Sequence, residues 1–348
     1  MSNFFRQEVL DLPSYHLEAH EGVKLNQNES PWDIPVELKA LVVENLLRVP
    51  WNRYPLDDLL ILKKKMAKLL EVWPDNLVFS NGSNVLIQAL TFATSIQKEV
   101  MVLDPTFGVY EIEARLFSNQ VMRIPLEDDF SIPKDKILRA IKRRPGIIFL
   151  PNPNAPTGNL FDPDLLRKIV ATAECLVVID EAYYPFSSFT VLDWVKEYDN
   201  LVVLRTFSKA FALGGLRLGW MIAEPEAARQ VQKCLLPFCI SRLVMAATLA
   251  VLDSPGYVKR YVKQICDERE RVYRSMTKFS DITVYPSQAN FILLEVDDSE
   301  KIFKTLLEEK VIVRQVNDGR RLTKALRVSI GTPEENDIFL LALRKALV

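Results

Sequence analysis

Residues 147–180, IIFLPNPNAPTGNLFDPDLLRKIVATAECLVVID, decide the fold. Two short apolar runs, Ile147–Leu150 and Leu176–Asp180, flank the stretch Pro163–Ala173, whose apolar residues recur with helical spacing. That stretch opens on Asp162-Pro163, a side-chain cap followed by a proline whose fixed φ already suits the first helical position. Strand, helix and strand in this order lay the second strand parallel to the first.

The same alternation continues on both sides. Leu77–Ser80, Val100–Leu103, Val121–Pro125 and Leu201–Arg205 are further apolar runs rich in β-branched residues. Helical stretches Ser83–Thr94 and Pro133–Lys142 lie among them, and Leu56–Leu70 forms another, with Asp57 and Asp58 at its start and lysines further along, as the helix dipole favours. The pattern predicts an α/β fold, a mostly parallel sheet sandwiched by helices. After Glu224 the texture changes to long helical segments, Glu226–Leu235, Ser241–Leu252 and Tyr257–Lys278. Strand-like Asn290–Val296 and Val311–Gln315 follow, separated by the amphipathic stretch Ser299–Lys310, and the chain closes with Leu326–Ile330 and Pro333–Leu347. We therefore expect an N-terminal arm over 1–30, a large domain over 31–255 and a smaller C-terminal α/β domain over 256–348.

Composition narrows the function classes. The 348 residues suffice for two domains, and 44 Lys plus Arg nearly cancel 45 Asp plus Glu. No net field draws the chain to nucleic acid or anionic lipid, and the one basic run, Lys63-Lys64-Lys65, reads as a solvated helix face. Cys175, Cys234, Cys239 and Cys266 show no CxxC spacing, which argues against zinc or a disulfide framework and suits a reducing cytoplasm. No apolar run approaches the roughly 18 residues of a membrane span. His16 and His20 are the only histidines. They read as surface residues of the arm, so no metal is expected, and a Ser-His-Asp hydrolase has no good base.

In an open α/β sheet, ligands sit beyond the carboxyl ends of the parallel strands. Those ends carry Asn81-Gly82-Ser83-Asn84, Asp104-Pro105-Thr106-Phe107, Pro151 to Gly158, Asp180-Glu181-Ala182-Tyr183 and Thr206-Phe207-Ser208-Lys209. Lys209 in isolation is a solvated charge; in the apolar company of Ala210 and Phe211 its amine is driven towards the neutral, nucleophilic form. Asp180 ends a buried run and must meet either a cation or helix-cap donors. Gly82-Ser83-Asn84 at a helix start forms a phosphate cup, although Asn-Gly also suits a hairpin turn. Ser208 and Arg217 extend the cup. Phe107 is either a core aromatic or a platform for a planar ring.

Together these residues resemble the fold-type I pyridoxal-phosphate aminotransferases, most closely the histidinol-phosphate aminotransferase family. The likeness runs from Leu25-Asn26-Gln27-Asn28-Glu29-Ser30-Pro31 to Leu326-Arg327-Val328-Ser329-Ile330-Gly331-Thr332. Its most specific parts are Pro151 to Gly158, Val178 to Tyr183, and Arg205 to Phe211 running on to Gly215-Leu216-Arg217-Leu218-Gly219. The resemblance implies pyridoxal 5'-phosphate as cofactor, held as an imine on Lys209, with Asp180 on the pyridine nitrogen and Tyr183 on the ring hydroxyl. It implies that Ser83 and Asn84, with Ser208 and Arg217, hold the phosphate, and that Phe107 stacks on the ring. Tyr54 is implied to reach the neighbouring subunit's phosphate, hence a homodimer with shared sites. Arg327 is implied to grip the substrate carboxylate and Arg314 the substrate phosphate. The sequence departs from the family where an asparagine usually precedes proline and bonds the ring hydroxyl. Ala155 stands there, and Asn154 is the candidate substitute.

The implied reaction converts histidinol phosphate and 2-oxoglutarate to imidazole acetol phosphate and glutamate, a step of histidine biosynthesis. An aromatic amino acid aminotransferase is one alternative, and a threonine-phosphate decarboxylase-like lyase needing no 2-oxo acid is another. A non-catalytic regulator on this fold is disfavoured by the retained Lys209 and Asp180.

Overall fold

Successive residues of a strand point to opposite faces, so a strand covered on both sides is apolar throughout. A computed structural model describes residues 4–12, 21–94, 96–117, 119–317 and 319–348; His16 and His20 lie outside the described residues. A short strand β1 (Val23–Lys24) is followed by seven strands of one sheet, β2 (Leu77–Ser80), β3 (Val100–Asp104), β4 (Val121–Pro125), β5 (Ile147–Pro151), β6 (Leu176–Asp180), β7 (Leu201–Thr206) and β8 (Gly219–Ile222). Their order is β2-β8-β7-β6-β5-β3-β4. Only β8 runs against its neighbours; the other pairings are parallel.

The alternation is visible residue by residue. Ile148 and Leu150 of β5 join the apolar cluster on one face, Ile147 and Phe149 the cluster on the other. Val177 and Ile179 of β6 oppose Val178, and Leu201 and Val203 of β7 oppose Val202 and Leu204. The first face is covered by helices Leu56–Leu70, Lys134–Ile141 and Pro163–Thr172, the second by Ser83–Thr94, Val109–Leu116 and Pro225–Gln232.

The Asp162-Pro163 start forms as expected. The Asp162 carboxylate accepts from the backbone N–H groups of Asp164 (2.8 Å) and Leu165 (3.2 Å). Asp162→Ala should cost about 1 kcal/mol, the usual loss for a helix N-cap. A lower urea midpoint at unchanged slope would register it, and an unchanged midpoint would refute it.

The expected strand set lacks β8. Its four residues follow the glycine-rich turn Gly214–Gly215 without an intervening helix, so no alternation marks it. It nevertheless fills the sheet between β2 and β7 and brings Gly219 to the edge where the other strands end.

Past Pro255 the long helix Pro255–Met276 leads to β9 (Ile282–Val284), β10 (Phe291–Val296), β11 (Val311–Ile312), β12 (Arg314–Val316) and β13 (Ala325–Ser329). Four of these form an antiparallel sheet in the order β12-β13-β10-β9. Ile292, Leu294, Leu326 and Val328 pack beneath helices Pro255–Met276, Ser299–Glu308 and Pro333–Ala346. The expected single strand Val311–Gln315 is divided. Val311 and Ile312 pair in parallel with β1, whereas Arg314–Val316 pairs with β13. The two halves satisfy their backbone groups on different partners, with Val313 buried between them. Among the described residues no helix is long and apolar enough to cross a membrane, and no group of acidic, cysteine or histidine side chains is arranged to hold a metal.

Candidate active site

A helix that starts directly after a strand presents its unpaired N–H groups at the sheet edge. Helix Ser83–Thr94 does so after β2. Gly82 has φ +89, and a Cβ there would lie 2.7 Å from Arg217 Nη2; at Gly219 it would lie 2.2 Å from the backbone nitrogen of Ser83. Both glycines are therefore needed for the close approach of β8 and Arg217 to the helix start. Arg217 Nη1 donates to Ser208 Oγ (3.2 Å) and to the Gly214 carbonyl (3.0 Å), and Ser208 Oγ also accepts from Thr206 Oγ1 (3.0 Å). A guanidinium, a hydroxyl and a helix N-terminus converge with Ser83 and Asn84 in the first turn. That is the donor set of a phosphate monoester site.

Asp180, at the end of β6, is buried. Its Oδ2 accepts from the Tyr110 hydroxyl (2.7 Å) and its Oδ1 from the backbone N–H of Ala182 (3.0 Å). Burial pushes its carboxyl up to about 6, against the pull of those two bonds. The donors are neutral, so the charge is solvated by dipoles alone, an environment that favours a cationic partner. Phe107 meets the edge of Tyr110 with ring centroids 5.6 Å apart.

Lys209, Tyr183 and Arg327 come from three distant parts of the chain and meet on one short segment. Lys209 Nζ donates to the Gln27 carbonyl (2.9 Å), Arg327 Nη2 to the Asn26 carbonyl (2.8 Å), and Asn28 Nδ2 to the Tyr183 hydroxyl (2.9 Å). Asn28 is buried with φ +54 and is held from several sides. Its N–H donates to Ser329 Oγ (2.8 Å), Ser329 Oγ donates to its Oδ1 (3.0 Å), and Asn290 Nδ2 donates to its carbonyl (3.0 Å). Burial first, and then the nearby Arg327 charge, bring the Lys209 amine down to about 8. Burial raises the Tyr183 hydroxyl, partly offset by Arg327. A lysine of this kind is available as nucleophile and proton carrier near neutral pH.

Arg314 lies directly opposite Arg327 across the β12–β13 pair, so the two side chains share one face of the sheet. Like charges in this register repel, and an anion bound between them relieves the repulsion. The Arg327 guanidinium carbon also sits 5.3 Å from the centroid of the Phe291 ring.

The surroundings of Asn154 and Tyr54 are specific. The Asn154 side chain is engaged within the protein. Its Oδ1 accepts from Thr106 Oγ1 (2.9 Å), while Nδ2 donates to the Pro105 carbonyl (3.1 Å) and to Thr157 Oγ1 (2.7 Å). Both amide hydrogens are committed to tying the 151–158 loop to the 104–107 loop. Ala155 packs with Ala289, Phe291 and Tyr183, so the ring-hydroxyl position keeps Tyr183 as its expected donor. Tyr54, 73% exposed, stacks on Phe238 at 4.7 Å rather than joining the other site residues of its own chain.

Tyr110 and the segment Asn26–Asn28 were not expected as site groups. No pattern in the sequence marks Tyr110, and two of the three segment contacts use backbone carbonyls, which no side-chain pattern announces. A cleft of about 370 Å³ opens beside Ser208, bordered by Lys24, Glu29, Trp32, Gly214 and Ser329; Asp180 and Lys209 are not in its lining.

The chain was compared with known proteins. Residues 20–343 match the family model described as aminotransferase class I and II. A histidinol-phosphate aminotransferase of Deinococcus radiodurans is 37% identical over 344 residues, spanning 97% of this chain and 95% of the relative. The structure of histidinol-phosphate aminotransferase from Sinorhizobium meliloti in complex with pyridoxal-5'-phosphate superposes with TM-score 0.88 at 21% identity, covering 99% of this chain and 97% of that one. L-threonine-O-3-phosphate decarboxylase from Porphyromonas gingivalis superposes with TM-score 0.81 at 23% identity, covering 93% and 98% respectively. That fold therefore serves more than one reaction.

Proposed function

The chain belongs to the aminotransferase class I and II family, and from that premise we propose that it moves the amino group of histidinol phosphate to 2-oxoglutarate, in the biosynthesis of histidine. It is a pyridoxal-phosphate-dependent enzyme. Its residues suit that group: the donor set of Ser83, Ser208 and Arg217 matches a phosphate, and Asp180, buried without a cation on it, matches a protonated pyridine nitrogen. When bound, pyridoxal phosphate supplies an electron sink for charge that develops at the substrate's α-carbon.

The protein's own part is binding, orientation and proton transfer. Lys209 would anchor the cofactor, and its Nζ would take the α-proton of the donor and, in the opposite half-reaction, return a proton to the acceptor's α-carbon. Asp180 would keep the ring nitrogen protonated, Tyr183 would donate to the ring hydroxyl, and Phe107 would stack on the ring. Arg327 and Arg314 bind the anionic end of the substrate. The observation that supports a phosphorylated donor is their cross-strand register, which sets two guanidiniums on one face of the sheet, where a single dianion would satisfy both. A phosphate monoester and, in the second half-reaction, a dicarboxylate both satisfy that pair.

The test is a single-turnover mix of holoenzyme with each candidate donor and no acceptor. Histidinol phosphate should deliver one amino group per site, with glutamate formed on later addition of 2-oxoglutarate. Preferred reaction with phenylalanine would replace the substrate assignment, and carbon dioxide release from phosphothreonine would replace the reaction class. Cofactor capture by apoenzyme should rise with pH through about 8, because the Lys209 amine reacts only when neutral and is protonated below that value. A rate flat from pH 6 to 10 would refute the role given to its burial.

Three further readings belong to the same proposal. Residues 31–255 and 256–348 act as large and small domains with 1–30 as an arm, a division supported by the seven-stranded sheet lying before Pro255 and the four-stranded sheet after it. The enzyme is a homodimer in which Tyr54 serves the partner's site. The apolar surface around it, with Trp51 78% and Leu236 79% exposed, supports this. Sedimentation of the holoenzyme as a monomer at micromolar concentration would refute it. The four free thiols agree with a cytoplasmic location.

A further inference from the structure

Tyr110 stands on helix Val109–Leu116, outside the set of residues assigned a role above, and it is fully buried. Its ring stacks on Phe149 with centroids 4.7 Å apart and planes 9° apart, and meets Phe107 edge-on at 5.6 Å and 83°. Held between these rings, the phenol has one orientation, which delivers its hydroxyl to Asp180 Oδ2 at 2.7 Å. We infer that Tyr110 is a positioning residue for Asp180, fixing one carboxylate oxygen so that the group stays ionised and aimed at the ring nitrogen of bound pyridoxal phosphate. The inference rests on the reading that Asp180 meets that nitrogen.

Three observations carry it. An ionised carboxylate offers about four lone-pair sites. Tyr110 and the Ala182 N–H occupy two and set the plane of the group, leaving room for a third donor from the cofactor side. The Tyr110 hydroxyl is itself held well above its ordinary value by burial and by the Asp180 charge, so it remains a donor throughout the working range. The groups facing Asp180 otherwise oppose its ionisation. Glu181 repels it from the same strand end, although the buried Arg205 engages Glu181 at 2.8 Å, and Tyr183 is a neutral neighbour whose hydroxyl is raised by burial first and only then by the Asp180 charge. Tyr110 also braces the side of Phe107, so one residue supports both the carboxylate and the expected stacking ring.

The test compares Tyr110→Phe and Asp180→Asn with wild type in three measurements. These are pyridoxal-phosphate affinity of the apoenzyme by fluorescence quenching, its pH profile, and the nitrogen resonance of bound ¹⁵N-labelled cofactor. The wild-type carboxyl is ionised above about 6, so affinity falls as pH drops through that value. Removing the Tyr110 donor raises the carboxyl further. Y110F should therefore weaken binding roughly tenfold or more, the scale of one hydrogen bond to a charged group. It should also move the fall to higher pH and shift the nitrogen resonance towards the unprotonated form. D180N should weaken binding above about pH 6 and flatten the profile. If D180N weakens binding while Y110F leaves the pH profile and resonance in place, the inference fails and the reading of Asp180 stands. If D180N changes nothing, that reading fails and the inference with it. Phe149→Leu loosens the same packing but keeps the hydroxyl; a profile shift in F149L equal to that in Y110F would assign the effect to packing and overturn the inference.

Discussion

Lys209→Ala is expected to lower turnover by about 10⁴-fold or more while the chain still folds and binds cofactor. The loss combines the covalent anchor with the proton carrier, and positioned acid–base groups alone contribute about 10²–10⁴. Folding survives because the amine makes one hydrogen bond, to the Gln27 carbonyl, and its burial already disfavours the charged form. The checks are steady-state turnover and the absorbance of lysine-bound cofactor, both of which should vanish together. Turnover near the wild-type rate would remove the central assignment.

Asp180→Asn ranks second, with an expected loss of roughly 10²–10³ in kcat, the scale of removing a preorganised charge at the reacting group. The side chain keeps its shape but no longer carries the charge that a ring cation pairs with. Because the carboxyl of the empty site sits at about 6, cofactor capture by the wild-type apoenzyme should fall below that pH. The variant should lose this limb of the profile. A variant that retains it would assign the limb to another group.

Much of this arrangement was legible before any coordinates, for a physical reason. Strands buried on both faces, such as Ile147–Pro151 and Leu176–Asp180, must be apolar throughout, and a polar residue that ends such a run is conspicuous. Asp180 is legible for that reason, and Gly82 and Lys209 because they follow such runs closely. Helix Val36–Leu47 was not. Its Val36, Leu41, Val43 and Leu47 are exposed while Val42 and Leu46 are buried, so it has no single apolar stripe. Strand β8 is too short and too close to a glycine turn to announce itself. Tyr110 is mostly core, and only its last atom touches the site, so no pattern marks it. The partners of Asn154 are not legible, because sequence gives a side chain's position along the loop, not the hydrogen bonds that engage it. The carbonyls of Asn26 and Gln27 carry no side-chain signature at all.

The N-terminal segment also sets the order in which the enzyme can be completed. Asn26 waits for a partner 301 residues away, Asn28 for another at the same separation, and Gln27 for one 182 residues away. Contacts between chain ends carry the greatest loop-closure cost and form late. During synthesis the last strand, Ala325–Ser329, is made long after the main sheet, which ends at Ile222, so residues 26–28 must wait for it before they settle. A nascent chain released before Ser329 would own a nearly whole scaffold and an unfinished pocket.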